Sequence, residues 1–158
     1  LLIIVPRHTE RASEIERLAS SMGFVCQIRS ETPNLRKETE VYVADTMGEM
    51  GIWYSLVQIA FIGGSLVERG GHNPLEAAQL GVVSFHGPHI YNTSAKYRQL
   101  QSEGVSYEVK DADDIVERFN SLSVKEMKAK AQKAKNISQV DMTAVEESVK
   151  VIKKALTV

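Results

Sequence analysis

The stretch IAFIGGSLVERGGHNPLEAAQLGVVSFHG, residues 59–87, contains the elements that decide the fold. Its two ends, residues 59–64 and 82–87, begin with short apolar runs that are typical of strands buried in a sheet. Between them, a glycine-rich loop leads to residues 74–81, a predicted short helix that begins at a proline and is stopped by a glycine. This order of strand, helix and strand predicts a right-handed parallel crossover.

The same alternation continues on both sides of this stretch. Further strands are predicted at residues 1–5, 24–28, 41–45 and 105–109. Further helices are predicted at residues 10–22, 51–58, 93–103 and 112–122. Strands that alternate with helices indicate a parallel sheet covered on both faces. We therefore predict an α/β fold over residues 1–122, with a Rossmann-like doubly wound parallel sheet of about six strands.

Residues 123–158 have a different pattern and are predicted to form a C-terminal helical extension of the same domain. Residues 123–135 are rich in lysine, which indicates either a solvated helix or a contact with anionic lipid. Beyond them, an apolar stripe recurs at steps of three and four residues, and it must bury against this domain or a missing one. The stripe consists of Met142, Val145, Val149, Ile152 and Leu156.

Length, charge and cysteine content exclude several classes of protein. The 158 residues fit one domain, and the net charge of −1 gives no electrostatic case for nucleic acid binding. Cys26 is the one cysteine, so no internal disulfide is possible, and it is predicted to be a small core residue. The apolar run of residues 1–5 is too short to cross a bilayer. Because the chain begins with Leu inside a predicted strand, we expect it to be part of a longer protein.

Ligands of open parallel sheets bind at the carboxyl ends of the strands, so the loops at that edge are candidates for the functional site. Four such loops stand out by their glycine and histidine content. They are VPRHT (residues 5–9), ADTMGEMG (44–51), GGSLVERGGHNP (63–74) and HGPHIYN (86–92).

The third of these loops allows two interpretations. Asn73 is a typical N-cap residue and Pro74 suits the first helical position, so Glu76 could simply bond back to the Asn73 amide in a capping box. Alternatively, the N–H groups of the helix start face an anion, while the Glu76 carboxylate accepts hydrogen bonds from vicinal sugar hydroxyls. A nucleotide has both groups. The loop lacks a Walker lysine and a GxGxxG motif, which argues against an NTPase or a dehydrogenase.

Other residues near these loops also have two interpretations each. Glu49 is either a general base or a charge at a helix N-terminus, and His72 either orders its loop or contacts the ligand. For His86 and His89, packing in a turn is favoured over metal binding. Trp53 is predicted to pack in the core, with base stacking as the alternative.

The motifs PRH, VADTMGEMGIWY, FIGGSLVERGGHNPLEAA and GPHIYN, in this order and spacing, resemble the C-terminal half of bacterial Kdo (3-deoxy-D-manno-octulosonic acid) transferases. The resemblance covers about residues 1–110. It implies the donor-binding half of a GT-B glycosyltransferase that transfers Kdo from CMP-Kdo to lipid A precursor. Ala77 stands where the family pattern has proline, a change that an early helical position tolerates.

The resemblance also implies a set of site residues. Those implied to bind the nucleotide sugar are Pro6, Arg7, Gly48, Glu49, Met50, Gly70, Gly71, His72, Asn73, Pro74, Leu75 and Glu76, with Arg69 for a donor-sugar carboxylate. It implies an inverting reaction without metal or cofactor, and a general base in a missing N-terminal domain that also binds the acceptor. The full-length enzyme would act at the cytoplasmic face of the bacterial inner membrane, whereas this part would be soluble. The alternatives are a UDP-sugar glycosyltransferase domain and a non-enzymatic nucleotide-binding module.

Overall fold

A computed structural model describes residues 1–32 and 34–156, with the side chains of residues 139–148 left out. The strands are β1 (Leu2–Ile4), β2 (Cys26–Ile28), β3 (Val41–Val43), β4 (Ile59–Phe61), β5 (Val83–His86) and β6 (Ser106–Glu108). The helices are α1 (Ala12–Ser21, preceded by a 3-10 turn at Thr9–Arg11), α2 (Met50–Leu56), α3 (Leu75–Gln79), α4 (Ser94–Ser102), α5 (Ala112–Ser121) and α6 (Val124–Leu156). All strand pairs are parallel, which confirms the predicted α/β class.

The strands are shorter than the apolar runs that predicted them, because ladder pairing ends before the apolar sequence does. Ile62 shows this at the end of β4: it is buried and donates one more N–H bond to the Phe85 carbonyl at 2.8 Å before the chain turns. The strands pair in two sets of three, within two compact units, Leu1–Trp53 (unit 1) and Tyr54–Val158 (unit 2).

In unit 1 the strand order is β1-β3-β2, with β3 buried at the centre. Because alternate residues of a strand face opposite sides of the sheet, β3 contributes side chains to two hydrophobic clusters. Val41 and Val43 pack with Ala12 and Ala19 of α1 on one side. Tyr42 packs with Trp53 on the other. Both faces of this sheet are therefore covered, as the prediction requires.

In unit 2 the strand order is β4-β5-β6, and all four residues of β5 are buried. Val83 and Phe85 pack in a cluster that includes Ile115 of α5. A second cluster joins Ala77 of α3 to Tyr97 of α4. The carboxyl end of β5, at His86, packs on Tyr97 of α4, the helix that follows the fourth candidate loop.

Residues 124–156 form one continuous helix, α6, whose first half packs on unit 2. Ala134 is fully buried, Lys130 donates to the Gly104 carbonyl at 2.9 Å, and the Lys133 ammonium lies 2.7 Å from the Glu103 carboxylate. Lys133 is exposed, as a solvated helix predicts, whereas Lys130 is partly buried through its bond to Gly104.

The predicted apolar stripe lies in the second half of α6. Val149, Ile152 and Leu156 are exposed, so these three do not bury against this chain. The side chains of Met142 and Val145 lie outside the described ones. None of the described helices has the length and apolar character needed to cross a lipid bilayer.

Candidate functional site

The glycine loop, residues 63–73, is closed on itself by its glycines. Gly64, Gly70 and Gly71 have φ values of +72°, +84° and +69°, which side chains with a Cβ rarely adopt. Gly71 N–H donates to the Gly64 carbonyl at 2.9 Å and joins the two ends of the loop. The loop is rich in glycine because three of its residues need backbone conformations with positive φ.

A second segment, residues 87–92, packs against this loop and holds it by hydrogen bonds; it is named here the support segment. The Asn92 amide nitrogen donates to the Arg69 carbonyl at 3.1 Å, and Asn92 N–H donates to the Gly70 carbonyl at 3.2 Å. The Tyr91 hydroxyl donates to the Glu68 carbonyl at 3.2 Å. A Cβ at Gly70 would collide with Asn92 and Tyr91, so glycine is needed there for space as well as for φ.

Buried Ser65 anchors the start of the loop to the start of the support segment. Its hydroxyl accepts from Gly87 N–H at 2.9 Å and donates to the Ile62 carbonyl at 2.7 Å. Its own carbonyl accepts from His89 N–H at 2.9 Å. A Cβ at Gly87 would overlap the Ser65 backbone, so the two segments approach as closely as glycine permits.

The helix start at α3 follows the predicted capping only in part. The Asn73 side-chain oxygen accepts from Leu75 N–H at 3.1 Å, and Pro74 is helical, with φ −81° and ψ −8°. The capping bond expected of Asn73 is confirmed, whereas Pro74 is the residue before α3 and not its first residue. Glu76 is exposed, and within residues 1–32 and 34–156 its carboxylate accepts no hydrogen bond, so the capping-box interpretation is not supported.

Helix α3 covers five residues rather than the predicted 74–81. A helix this short sums few peptide dipoles, so its N–H groups act by direct hydrogen bonding more than by a macrodipole. Within the described residues, the N–H groups of Gly70, His72 and Asn73 donate to no protein acceptor. These donors lie at the end of the loop where an anion is predicted.

The charged side chains of the glycine loop point into solvent. Arg69 is exposed, and no ion pair joins it to its neighbour Glu68 in the described part of the chain. His72 is also exposed, whereas its carbonyl accepts a 2.8 Å bond from the buried Tyr97 hydroxyl. The backbone of His72 is therefore fixed and its ring is left accessible.

The candidate residues of unit 1 lie after β1 and around the start of α2. Pro6 is half-buried and Arg7 is exposed, and among the described residues the Arg7 guanidinium forms no ion pair. Gly48 has φ +82° in an exposed turn that leads to the exposed Met50. Arg7 is thus a cation available to an anionic ligand.

Glu49 is held by its neighbours. Its carboxylate accepts from Arg29 Nε at 3.3 Å and Arg29 Nη2 at 3.2 Å, and also from the Thr46 hydroxyl. The Arg29 bond and then the Thr46 bond lower the pKa of Glu49. An ionised carboxylate already engaged twice is poorly suited to accept a proton as a general base. The interpretation as a structural charge at the start of α2 is favoured.

Two aromatic predictions have clear outcomes. Trp53 is 7% exposed and lies 5.7 Å from the Tyr42 ring, so core packing is confirmed. His86 is fully buried: its Nδ1 donates to the Gly87 carbonyl at 2.8 Å, its ring lies 4.3 Å from the Tyr97 ring, and burial lowers its pKa. His86 therefore packs in the turn. No three His, Cys, Asp or Glu side chains of the described residues are placed to share a metal ion.

Sequence reasoning did not assign Arg29, Asn92 or Tyr97 to the site. Arg29 follows the carboxyl end of β2, at the edge of the sheet where ligands bind, and this placement could have identified it. Asn92 lies within the quoted motif GPHIYN. The Tyr97 contact joins residues 25 apart, and no local pattern predicts it.

Comparisons with known proteins identify relatives of this chain. No family model matches the chain. It is 38% identical over 120 residues to the 3-deoxy-D-manno-octulosonic acid transferase of Haemophilus influenzae, covering 75% of this chain and 28% of that protein. It is 34% identical over 137 residues to the Aquifex aeolicus protein of the same name, covering 86% of this chain and 37% of that protein. The chain thus spans about a third of the length of these curated relatives.

A solved structure extends the match to three dimensions. The C-terminal CMP-Kdo binding domain of WaaA from Acinetobacter baumannii is 33% identical, with a TM-score of 0.75, covering 84% of this chain and 72% of that one. The resemblance expected from the four sequence motifs is confirmed. The chain belongs to the 3-deoxy-D-manno-octulosonic acid transferase family.

Proposed function

We propose that this chain binds CMP-Kdo as the donor domain of a Kdo transferase. One observation carries the proposal: among the described residues, the backbone N–H groups of Gly70, His72 and Asn73 have no protein acceptor and shortly precede the exposed Glu76 carboxylate, in a domain similar to one described as binding CMP-Kdo. An anion-binding group and a diol-binding group in adjacent positions suit a nucleotide.

In this proposal the loop holds the phosphate and the ribose. The N–H groups of Gly70, His72 and Asn73 donate to phosphate oxygens, and Glu76 accepts from the two ribose hydroxyls. Arg69 is an exposed cation three residues before His72, where it can bind the carboxylate of Kdo. Gly71, Pro74 and Leu75 contribute backbone shape.

The residues of unit 1 are proposed to contact the CMP portion. Pro6 and Arg7 follow β1, and Arg7 supplies a fixed positive charge. Gly48, Glu49 and Met50 contribute mainly backbone groups, because the Glu49 side chain is occupied by Arg29 and Thr46. An exposed turn with a glycine at positive φ presents its peptide groups readily.

The chemical role follows from the charge that develops during transfer. When the bond between Kdo and phosphate breaks, negative charge grows on the phosphate of CMP and positive character grows on the sugar. Backbone N–H groups of the glycine loop stabilise the departing phosphate without a metal ion, and Arg7 contributes positive charge to the binding of CMP. The reaction is proposed to be inverting, by direct attack of an acceptor hydroxyl, and this chain supplies no general base.

The remaining parts of the proposal concern the whole protein. A GT-B enzyme needs a second domain, which would bind lipid A precursor, hold the general base and work at the cytoplasmic face of the inner membrane. This chain alone is therefore expected to bind nucleotide and to show no transfer activity.

Calorimetric titration of the 158-residue chain with CMP, UMP and AMP tests the proposal. We expect CMP to bind at least tenfold more tightly than AMP and more tightly than UMP, with the same affinity in the presence of EDTA. Tighter binding of UMP would favour a UDP-sugar enzyme. Heat signals indistinguishable from buffer for all three would contradict the proposal and favour a module without nucleotide binding.

A further inference from the structure

Tyr97 connects the interior of unit 2 to the glycine loop. It lies in α4 and is fully buried, and its hydroxyl donates to the His72 carbonyl at 2.8 Å. Its ring packs on His86 at the end of β5, with 4.3 Å between ring centroids, and belongs to the cluster around Ala77 and Val82. The hydroxyl is thus held at a fixed point beneath the loop.

The accepting carbonyl belongs to the same peptide group as the Asn73 N–H. In a trans peptide the N–H points opposite to the C=O, and no cis bond occurs among the described residues. When Tyr97 holds the His72 carbonyl toward the interior, the Asn73 N–H is directed away from the interior. A donated bond on the carbonyl also polarises the peptide and strengthens its N–H as a donor.

We infer that Tyr97 is a positioning residue for nucleotide binding, which fixes the His72–Asn73 peptide so that the Asn73 N–H donates to the phosphate. This inference rests on the proposed binding of CMP. Burial raises the pKa of the Tyr97 hydroxyl, so it stays protonated and remains a donor.

The chain offers a matched control for this inference. The Tyr107 hydroxyl donates to the Gly104 carbonyl, also at 2.8 Å and also partly buried, but at β6 and away from the glycine loop. Tyr97→Phe and Tyr107→Phe therefore each remove one tyrosine hydroxyl bonded to a backbone carbonyl. Thermal unfolding of both variants shows whether each is folded and how much stability it has lost.

The experiment compares the two variants in CMP affinity and in the amide spectrum of the free protein. We expect Tyr97→Phe to weaken CMP binding by about 3- to 10-fold, the loss of one hydrogen bond. The nitrogen shift of the Asn73 amide should move in Tyr97→Phe without ligand. Tyr107→Phe should change CMP affinity by less than about twofold and leave Asn73 unshifted.

The possible failures are distinguishable. If the wild-type chain binds CMP and Tyr97→Phe binds it equally well, the inference is wrong and the proposed function stands. Equal losses in both variants would also overturn the inference, because the effect would then be one of general stability. A wild-type chain that does not bind CMP would contradict the proposed function and this inference together.

Discussion

The Arg29 guanidinium and the Glu49 carboxylate meet at two points in unit 1, with N···O distances of 3.3 and 3.2 Å. Arg29 follows β2 and Glu49 precedes α2, so the pair fixes the turn at residues 46–49 that carries a predicted binding segment. Arg29 also lies over the Trp53 ring, 5.8 Å from its centroid. Glu49 is thereby a structural residue of the turn.

This pair predicts a loss of stability in acid. The pKa of Glu49 is lowered by Arg29 and Thr46, so its contribution is fully present above the unfolded value of about 4.3. It is lost as pH falls through the lower folded value. Glu49→Gln should therefore reduce stability near neutral pH and flatten its decline below about pH 4. Trp53, the one tryptophan, reports this by fluorescence during urea unfolding.

Glu14→Gln provides the comparison for this measurement. Glu14 pairs with Arg11 on the surface of unit 1, where both side chains are more than half exposed. Solvent screens such a pair, so its removal should have a smaller effect at every pH. If both substitutions gave the same pH profile, the Arg29–Glu49 pair would have no special role.

Gly70→Ala should destabilise unit 2 and disrupt the glycine loop. Gly70 has φ +84° and no room for a Cβ beside Asn92 and Tyr91. The backbone strain of alanine at this φ and the steric overlap of its Cβ therefore both contribute to the loss of stability. We expect a cost of about 2–3 kcal/mol. Gly104→Ala is the control, since Gly104 has φ +68° but only a lysine tip at 3.6 Å, and should cost about 1 kcal/mol. Equal unfolding free energies in denaturant titrations would show that the support segment does not confine the loop.

His86 predicts a second pH dependence at a higher pH. Burial lowers its pKa, so below the unfolded value of about 6.5 the unfolded state binds more protons than the folded one. Stability should therefore fall as pH decreases from about 7 to the folded pKa. His86→Asn keeps a donor near the Nδ1 position and removes the titration. Its unfolding free energy, whatever its absolute value, should be flat over this window, and a slope equal to wild type would contradict the assignment.

Glu76→Gln tests the proposed ribose contact. A neutral amide offers one acceptor oxygen instead of two and lacks the negative charge, so it binds two neighbouring hydroxyls less strongly than a carboxylate does. We expect CMP affinity to fall by about tenfold, with little change in unfolding temperature because Glu76 is exposed and makes no described hydrogen bond. Asp113→Asn is the control, an exposed carboxylate in the first turn of α5. Removing the ribose hydroxyls, with 2′,3′-dideoxy-CMP, should abolish the difference between wild type and Glu76→Gln.

Local chemistry made much of this fold predictable. The apolar run of residues 1–5 contains β1, and Gly23 and Gly81, both at positive φ, end helices as expected. Asn73 was recognisable as a cap because its side chain bonds two residues ahead. Each of these signals depends on neighbours in sequence, so the sequence displays it directly.

The contacts that shape the candidate site were not predictable in the same way. Asn92 reaches the Arg69 carbonyl across 23 residues, and Arg29 reaches Glu49 across 20. Such pairs depend on how loops meet at a sheet edge, and no periodicity encodes them. The absence of a bond between Glu76 and Asn73 is a similar case, because the sequence fits both a capping box and a free carboxylate.

An amide-resolved titration with CMP tests the central claim most directly. Increasing CMP should shift the amide signals of residues 70–73, 75 and 76 most strongly and saturably, with smaller shifts at Gly48 and Met50 and no response in the control helix α5. Saturable shifts that leave residues 70–73, 75 and 76 unmoved, or no shifts at all, would contradict the assignment of the glycine loop as a nucleotide site.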